Sequence, residues 1–249
     1  PLISAEAYSM IRPGSGPNDY LAMGGPDGLD AGIWDDVYLR ATPWARIERI
    51  SIRTFTRGSR LEARAFAVNE TAAARAFQLR ATVFDGVTPV FETLSDTARM
   101  EPGASRTLLA EGEWAGGEPW GPAAPYGQPK LYWLRLRLEE NGQIVDEAFE
   151  RFGFRQFEIL STGFFLNGKR IALQCDTISA SDGGATWERA NPWFFAQYLA
   201  EARRAGVNCV ILESPAPASW LDLCDETGML CAPAAPIFGL LDQAPPDLY

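Results

Sequence analysis

The hydrophobic period of the chain changes once, near Gly153, and that change sets what each part can fold into. Before it, Leu61-Glu62-Ala63-Arg64-Ala65-Phe66-Ala67-Val68-Asn69 and Phe77-Gln78-Leu79-Arg80-Ala81-Thr82-Val83-Phe84-Asp85 alternate with period two. Tyr132-Trp133-Leu134-Arg135-Leu136-Arg137-Leu138 does the same. Successive side chains of a strand point to opposite faces, so this pattern predicts strands with one face buried. After it, apolar strands alternate with helical spacing, which predicts parallel βα units.

Residues 44–152 read as an all-β sandwich. Strands of about seven to nine residues separated by turn signals fit an immunoglobulin-like domain of ~100 residues. Glu70-Thr71-Ala72-Ala73 is polar and small, suited to a connection, and no cysteine is present to join the sheets. Residues 1–43 hold the turn cluster Gly24-Gly25-Pro26-Asp27-Gly28 and a single strand over 33–39, the trailing edge of a larger β domain.

From 153 onward, Asn167-Gly168 between apolar runs predicts a two-residue hairpin turn. The first parallel strand is expected at 171–175. Asn191-Pro192 then supplies an N-cap and a proline at the first helical position. Phe194, Phe195, Tyr198, Leu199 and Ala202 recur at helical spacing, and Gly206 closes that helix. Val207-Asn208-Cys209-Val210-Ile211-Leu212 is a continuous apolar strand, as buried parallel strands tend to be. A second helix over 218–227 ends at Gly228, and residues 229–232 form a third strand.

Composition removes whole classes of chemistry. The chain contains no histidine, so Ser-His-Asp and Cys-His catalysis and imidazole metal ligation are excluded within it. The four cysteines form no CxxC pair and are expected as buried reduced thiols. No metal and no cofactor is expected. A net charge of −10 without a basic stripe argues against nucleic acid, and no apolar run approaches the ~18 residues of a membrane span. Localisation is left open.

Four motifs in one order carry a resemblance: Gly32-Ile33-Trp34-Asp35-Asp36-Val37-Tyr38-Leu39, Gln128-Pro129-Lys130-Leu131-Tyr132, Phe164 to Leu173 around Asn167-Gly168, and Leu221-Asp222-Leu223-Cys224-Asp225-Glu226-Thr227-Gly228-Met229-Leu230. Together they resemble glycoside hydrolase family 2, the β-galactosidases, β-glucuronidases and β-mannosidases. The resemblance implies the end of a jelly-roll domain over 1–43, the immunoglobulin-like β-sandwich over 44–152 and the first three strands of a (β/α)8 TIM barrel over 153–249. It implies hydrolysis of O-glycosidic bonds of a carbohydrate by a retaining mechanism, which needs two carboxyl groups ~5 Å apart. In that family both are glutamates on the fourth and seventh barrel strands, the first within an Asn-Glu pair. Asn69-Glu70, the chain's own Asn-Glu, ends a sandwich strand and is expected as a turn. The catalytic pair is therefore expected outside residues 1–249, with the remainder of the parent chain as partner and this piece inactive alone.

Barrel enzymes build their sites at the C-terminal ends of the strands. On that rule Asp176, Asp182 and Glu213 are the candidate carboxylates for sugar hydroxyls, with Trp187 or Trp193 as a stacking platform, although Trp193 in a first helical turn is better suited to packing. Trp114, Trp120 and Tyr126 in the long segment 112–129 either stack on a sugar or pack between domains, with packing favoured. The sequence departs from the family at Gln174-Cys175-Asp176-Thr177, Ile211-Leu212-Glu213-Ser214 and Cys231-Ala232-Pro233-Ala234-Ala235-Pro236. These departures imply an altered pocket or lost catalysis, so a catalytically inactive carbohydrate-binding or scaffold protein is the alternative. A plain adhesion module is the third reading, and a homo-oligomer is left open.

Overall fold

The computed structural model describes residues 2–9, 33–178, 192–212 and 218–233. The chain is mostly β, and it divides into two compact units, one built on residues 39–172 and one on 173–249.

Strand β1 (Leu2–Ser9) pairs with β2 (Ile33–Thr42) in a two-stranded sheet. The expectation of a single strand in this region is therefore corrected. Leu2-Ile3-Ser4-Ala5-Glu6-Ala7-Tyr8-Ser9 is too weakly alternating to stand out, and pairing rather than propensity makes it a strand.

The next eight strands are β3 (Ala45–Phe55), β4 (Arg60–Asn69), β5 (Arg75–Asp85), β6 (Thr88–Leu94), β7 (Ala98–Met100), β8 (Ala104–Glu113), β9 (Leu131–Glu140) and β10 (Gln143–Gly153). They form two antiparallel sheets, β3-β4-β8 and β10-β9-β5-β6, with β7 attached to β5. Their inner faces share one core, a β-sandwich.

The two inner faces differ in size. From β4 and β8 come Ala63, Ala65, Ala67 and Ala110, all fully buried. From β5 and β9 come Phe77, Leu79, Leu134, Leu136 and Leu138, also fully buried. Small residues on one sheet face bulky ones on the other, which suits interdigitation across the core. Trp114 closes one end of this core. Its ring stands edge-on to Tyr132 at 4.8 Å and to Phe154 at 5.3 Å.

At one margin the sheets are joined by a carboxylate. A bulge between Ile144 and Asp146 lets Asp146 accept a 2.8 Å hydrogen bond from the Ile47 backbone N–H, beside a second bulge between Ile47 and Arg49. The long segment after β8 is packing structure. Trp114 and Trp120 are buried in it, which places them with the packing expectation and takes them away from any ligand.

Strands β11 (Phe157–Leu160), β12 (Gly163–Leu166) and β13 (Lys169–Ile171) make an antiparallel meander. Asn167 and Gly168 turn β12 into β13 with φ of 52° and 77°, the left-handed pair such a hairpin turn requires. The Asn167 side chain donates to the carbonyl oxygens of Trp120 and Tyr126 at 2.8 and 2.7 Å and accepts from the Gln156 N–H at 2.9 Å. One asparagine thus supplies the turn and fastens the segment before β9 to it.

In the other unit, β14 (Cys175–Ile178), β15 (Cys209–Leu212) and β16 (Leu230–Pro233) are parallel in that order. Helices α1 (Pro192–Arg204) and α2 (Ala218–Thr227) connect them in the chain. Both helices end as their glycines dictate. Gly206 (φ 89°) donates to Arg203 and Val207 to Ala202, the paired C-terminal bonds of a Schellman motif. Gly228 (φ 74°) lets Met229 donate back to Cys224. The first parallel strand runs over 175–178 rather than 171–175. Ile171 is taken by the hairpin with β12, and an antiparallel partner two residues after a tight turn forms before any distant parallel one.

Candidate functional site

The parallel register sorts the second unit's residues by face. Asp176, Val210 and Cys231 are aligned partners, as are Ile178, Leu212 and Pro233. Ile178, Val210 and Leu212 pack with Phe195, Leu199, Trp220 and Cys224 of the helices, so this set faces the helical layer. Cys175 with Cys209, and Thr177 with Ile211 and Ala232, occupy the opposite face.

Asp176 therefore points to the helices. Its Oδ2 accepts a 2.8 Å hydrogen bond from the Tyr198 hydroxyl on α1, and its Oδ1 accepts from the Thr177 N–H at 2.9 Å. It stands second in a four-residue strand rather than past a strand end. The shift of β14 by four residues relative to expectation accounts for this placement. Burial, then the adjacent Asp176 carboxylate, pushes the Tyr198 phenol well above its ordinary range, so it is a hydrogen-bond donor at any physiological pH. Tyr198 also lines a shallow hollow of about 460 Å³ with Phe194, Gln197, Glu201 and Arg204.

Asp182, Trp187 and Glu213 lie outside the described residues. So does Asn191, the expected N-cap, while Pro192 begins α1 as expected. Trp193 is 80% exposed, so the described core does not hold it.

The cysteines are reduced, but only two are buried. Cys209 is pushed up to about 12 by burial and by the neighbouring Cys175 thiol. Cys224 is raised by its hydrogen bond to Cys231 and by burial. Cys175 is exposed and Cys231 half-buried, which corrects the expectation of four buried thiols. Strand register was the missing information, because it puts Cys175 and Cys209 side by side on the face of the sheet opposite α1 and α2. Among the described residues no cluster of three potential ligands could hold a metal ion.

On the sandwich, carboxylates that meet do so around arginines. Glu48 and Glu70 both pair with Arg46, and Glu92 and Glu139 both pair with Arg80. Glu62, with its side chain 6% exposed, serves Arg53, Arg60 and Arg64 together. Each of these carboxylates is engaged as the counter-ion of a guanidinium. Asn69 is fully buried and spends its amide on the carbonyls of Ala73 and Met100, both at 3.0 Å. The Asn69-Glu70 pair is thus a strand terminus, as its sequence position predicts.

Residues 45–155, the strands of the sandwich and the two residues after them, match the model of glycosyl hydrolases family 2. A putative β-glucuronidase of Formosa agariphila is 30% identical over 151 residues, which cover 57% of this chain and 17% of that protein. The family 2 β-galacturonidase of Eisenbergiella tayi, solved with galacturonate, has a TM-score of 0.67 at 21% identity, covering 82% of this chain and 35% of that one. A family 2 member from Bacteroides cellulosilyticus gives a TM-score of 0.66 at 20% identity, covering 81% of this chain and 28% of that one. At these identities the structural likeness is one of fold. The chain spans between 10% and 18% of the length of the curated relatives it matches. Over residues 45–155 the chain thus matches glycosyl hydrolases family 2, and it shares its fold with solved structures of that family.

Proposed function

We propose that the whole protein is a β-glycosidase that hydrolyses O-glycosidic bonds of a carbohydrate with retention of anomeric configuration. The observation that carries this reading is the family match over 45–155, joined to a parallel sheet of three strands whose helices follow in the order of a βα barrel. In this reading the sandwich is an immunoglobulin-like domain, β1 and β2 belong to the edge of a jelly-roll, and β14, β15 and β16 open a (β/α)8 barrel. The side of the parallel sheet opposite α1 and α2, with Cys175, Thr177, Cys209 and Ile211, then faces the barrel interior.

Retention requires two carboxyl groups ~5 Å apart, one attacking the anomeric carbon and one exchanging a proton with the leaving oxygen. We assign both to residues outside 1–249. The sandwich carboxylates support that assignment, since Glu62, Glu70 and Glu139 are each engaged as counter-ions of arginines. Asp182, Trp187 and Glu213 remain the proposed sugar contacts, because they follow β14 and β15 in sequence. For Asp176 the proposed role is indirect, holding α1 on β14 through Tyr198.

A panel of 4-nitrophenyl β-glycosides tests this. The whole protein is expected to hydrolyse at least one, residues 1–249 alone none, and Glu213→Gln and Trp187→Ala to raise KM. Turnover by 1–249 alone would overturn the assignment of the carboxylates, and unchanged kinetics in both variants would overturn the contacts.

A further inference from the structure

The outer face of the four-stranded sheet is divided into an ionic end and an aromatic end. At the ionic end Arg80 pairs with Glu139 and Glu92 at 2.7 and 2.6 Å, and Arg137 with Glu147 at 2.5 Å. At the other end Phe84 of β5 stands directly opposite Trp133 of β9, and Phe149 of β10 stands opposite Arg135 of β9. Trp133 is 47% and Phe149 54% exposed. Trp133 lies on an inner strand, so its indole sits in the middle of the sheet and not on a fraying edge.

Arg135 lies between these rings. Its guanidinium stands 4.8 Å from the centre of the Phe84 ring, its Nε is buried without a hydrogen-bond partner, and the side chain as a whole is 22% exposed, so a ligand would meet its terminal amino groups. The nearest carboxylate oxygen, on Glu147, is 3.8 Å away, and Arg137 already holds that carboxylate. Every other arginine named on this face is paired at hydrogen-bond distance. The arrangement is two half-exposed aromatic rings on neighbouring strands, with an arginine between them whose carboxylate contact is longer than a hydrogen bond.

The size of the patch limits what fits it. Large aromatic side chains offer 150–250 Å² each, so the exposed parts of Trp133 and Phe149 total about 200 Å². A standard protein interface needs ~800 Å² from each partner. One or two pyranose rings match the smaller figure. A pyranose carries C–H groups on one face, which stack on an aromatic ring. Its equatorial hydroxyls, or a uronate carboxylate, accept from a guanidinium.

We propose that this end of the sandwich binds a saccharide chain, with one pyranose ring on Trp133, a neighbouring ring on Phe149, and Arg135 donating to their oxygens. The site needs no hydrolysis and stands independently of the glycosidase reading. Neutral and uronate-bearing chains share the stacking chemistry and differ only in what Arg135 meets.

The test is native electrophoresis of the whole protein through gels holding hydroxyethylcellulose, galactomannan or polygalacturonate, with a gel lacking polysaccharide as reference. At least one polymer is expected to retard the protein. Trp133→Ala is expected to weaken that retardation at least tenfold, Trp133→Tyr to keep it within threefold, and Arg137→Gln at the ionic end within twofold. Retardation only by polygalacturonate, lost in Arg135→Gln, identifies a uronate chain; retardation by the neutral polymers identifies a neutral one. The proposal is overturned if no polymer retards the protein, or if retardation survives Trp133→Ala. It is equally overturned if Trp133→Ala converts a dimer to a monomer in sedimentation, because the patch then belongs to a second copy. None of these readouts involves catalysis, so a protein that hydrolyses nothing still tests the site.

Discussion

Tyr198 of α1 donates its phenolic hydrogen to Asp176 of β14 at 2.8 Å, and this bond ties the first helix to the first parallel strand. A bond to a carboxylate is stronger than a neutral one, but both side chains reach the surface, so its net contribution is about 1 kcal/mol. Tyr198→Phe is expected to cost that much in chemical denaturation. Asp176→Asn, which keeps an acceptor, should cost less than Asp176→Ala.

The same pair has a pH signature. The Tyr198 phenol is raised in the folded protein above its unfolded value near 10. Its contribution is fully present below pH ~10 and fades as pH rises through the folded value. Absorbance titration should show two described phenols ionising late, Tyr198 and the buried Tyr132, and Asp176→Asn should bring one of them down. Both phenols unchanged in that variant would separate Tyr198 from the carboxylate.

The alanine face of β4 predicts that enlargement, not truncation, harms the core. Ala65 is fully buried opposite bulky residues, so Ala65→Leu should destabilise the sandwich by ~1–3 kcal/mol. Glu70→Ala, at the exposed partner of Arg46, should shift the melt far less than Ala65→Leu. Thermal melts of both variants check this contrast.

Thiol chemistry separates the cysteines by burial. Cys209 and Cys224 are both buried and their thiols are raised, so iodoacetamide at pH 8 should leave them unmodified in the native protein and label them on unfolding. Peptide mass mapping before and after denaturation gives the answer. Native labelling of Cys209 would contradict the packing of β14 against β15.

Much of the fold was legible because its signals are local. The alternation of Leu61 to Val68 and of Phe77 to Val83 reports directly on burial, and Asn167-Gly168, Gly206 and Gly228 turn the chain where they stand. Register was not legible. Residues 171–175 carry a good strand pattern, yet Ile171 pairs backwards with Phe164, and β14 starts at Cys175. That offset of four residues leaves the faces unchanged, but it puts Asp176 inside the strand instead of just past its end. Tyr198 was legible as a helix residue but not as a partner of Asp176, because the two are 22 residues apart in sequence. Trp133 gave no signal at all, since an outward tryptophan within an alternating strand looks like any other polar-face position.

The account's central claim is a retaining β-glycosidase, and the anomeric form of the first product tests it most directly. Proton NMR of a hydrolysing mixture, recorded before mutarotation, is expected to show the β-anomer of the released sugar appearing first from an aryl β-glycoside. Initial release of the α-anomer, or no hydrolysis of any aryl β-glycoside by the whole protein, would contradict it.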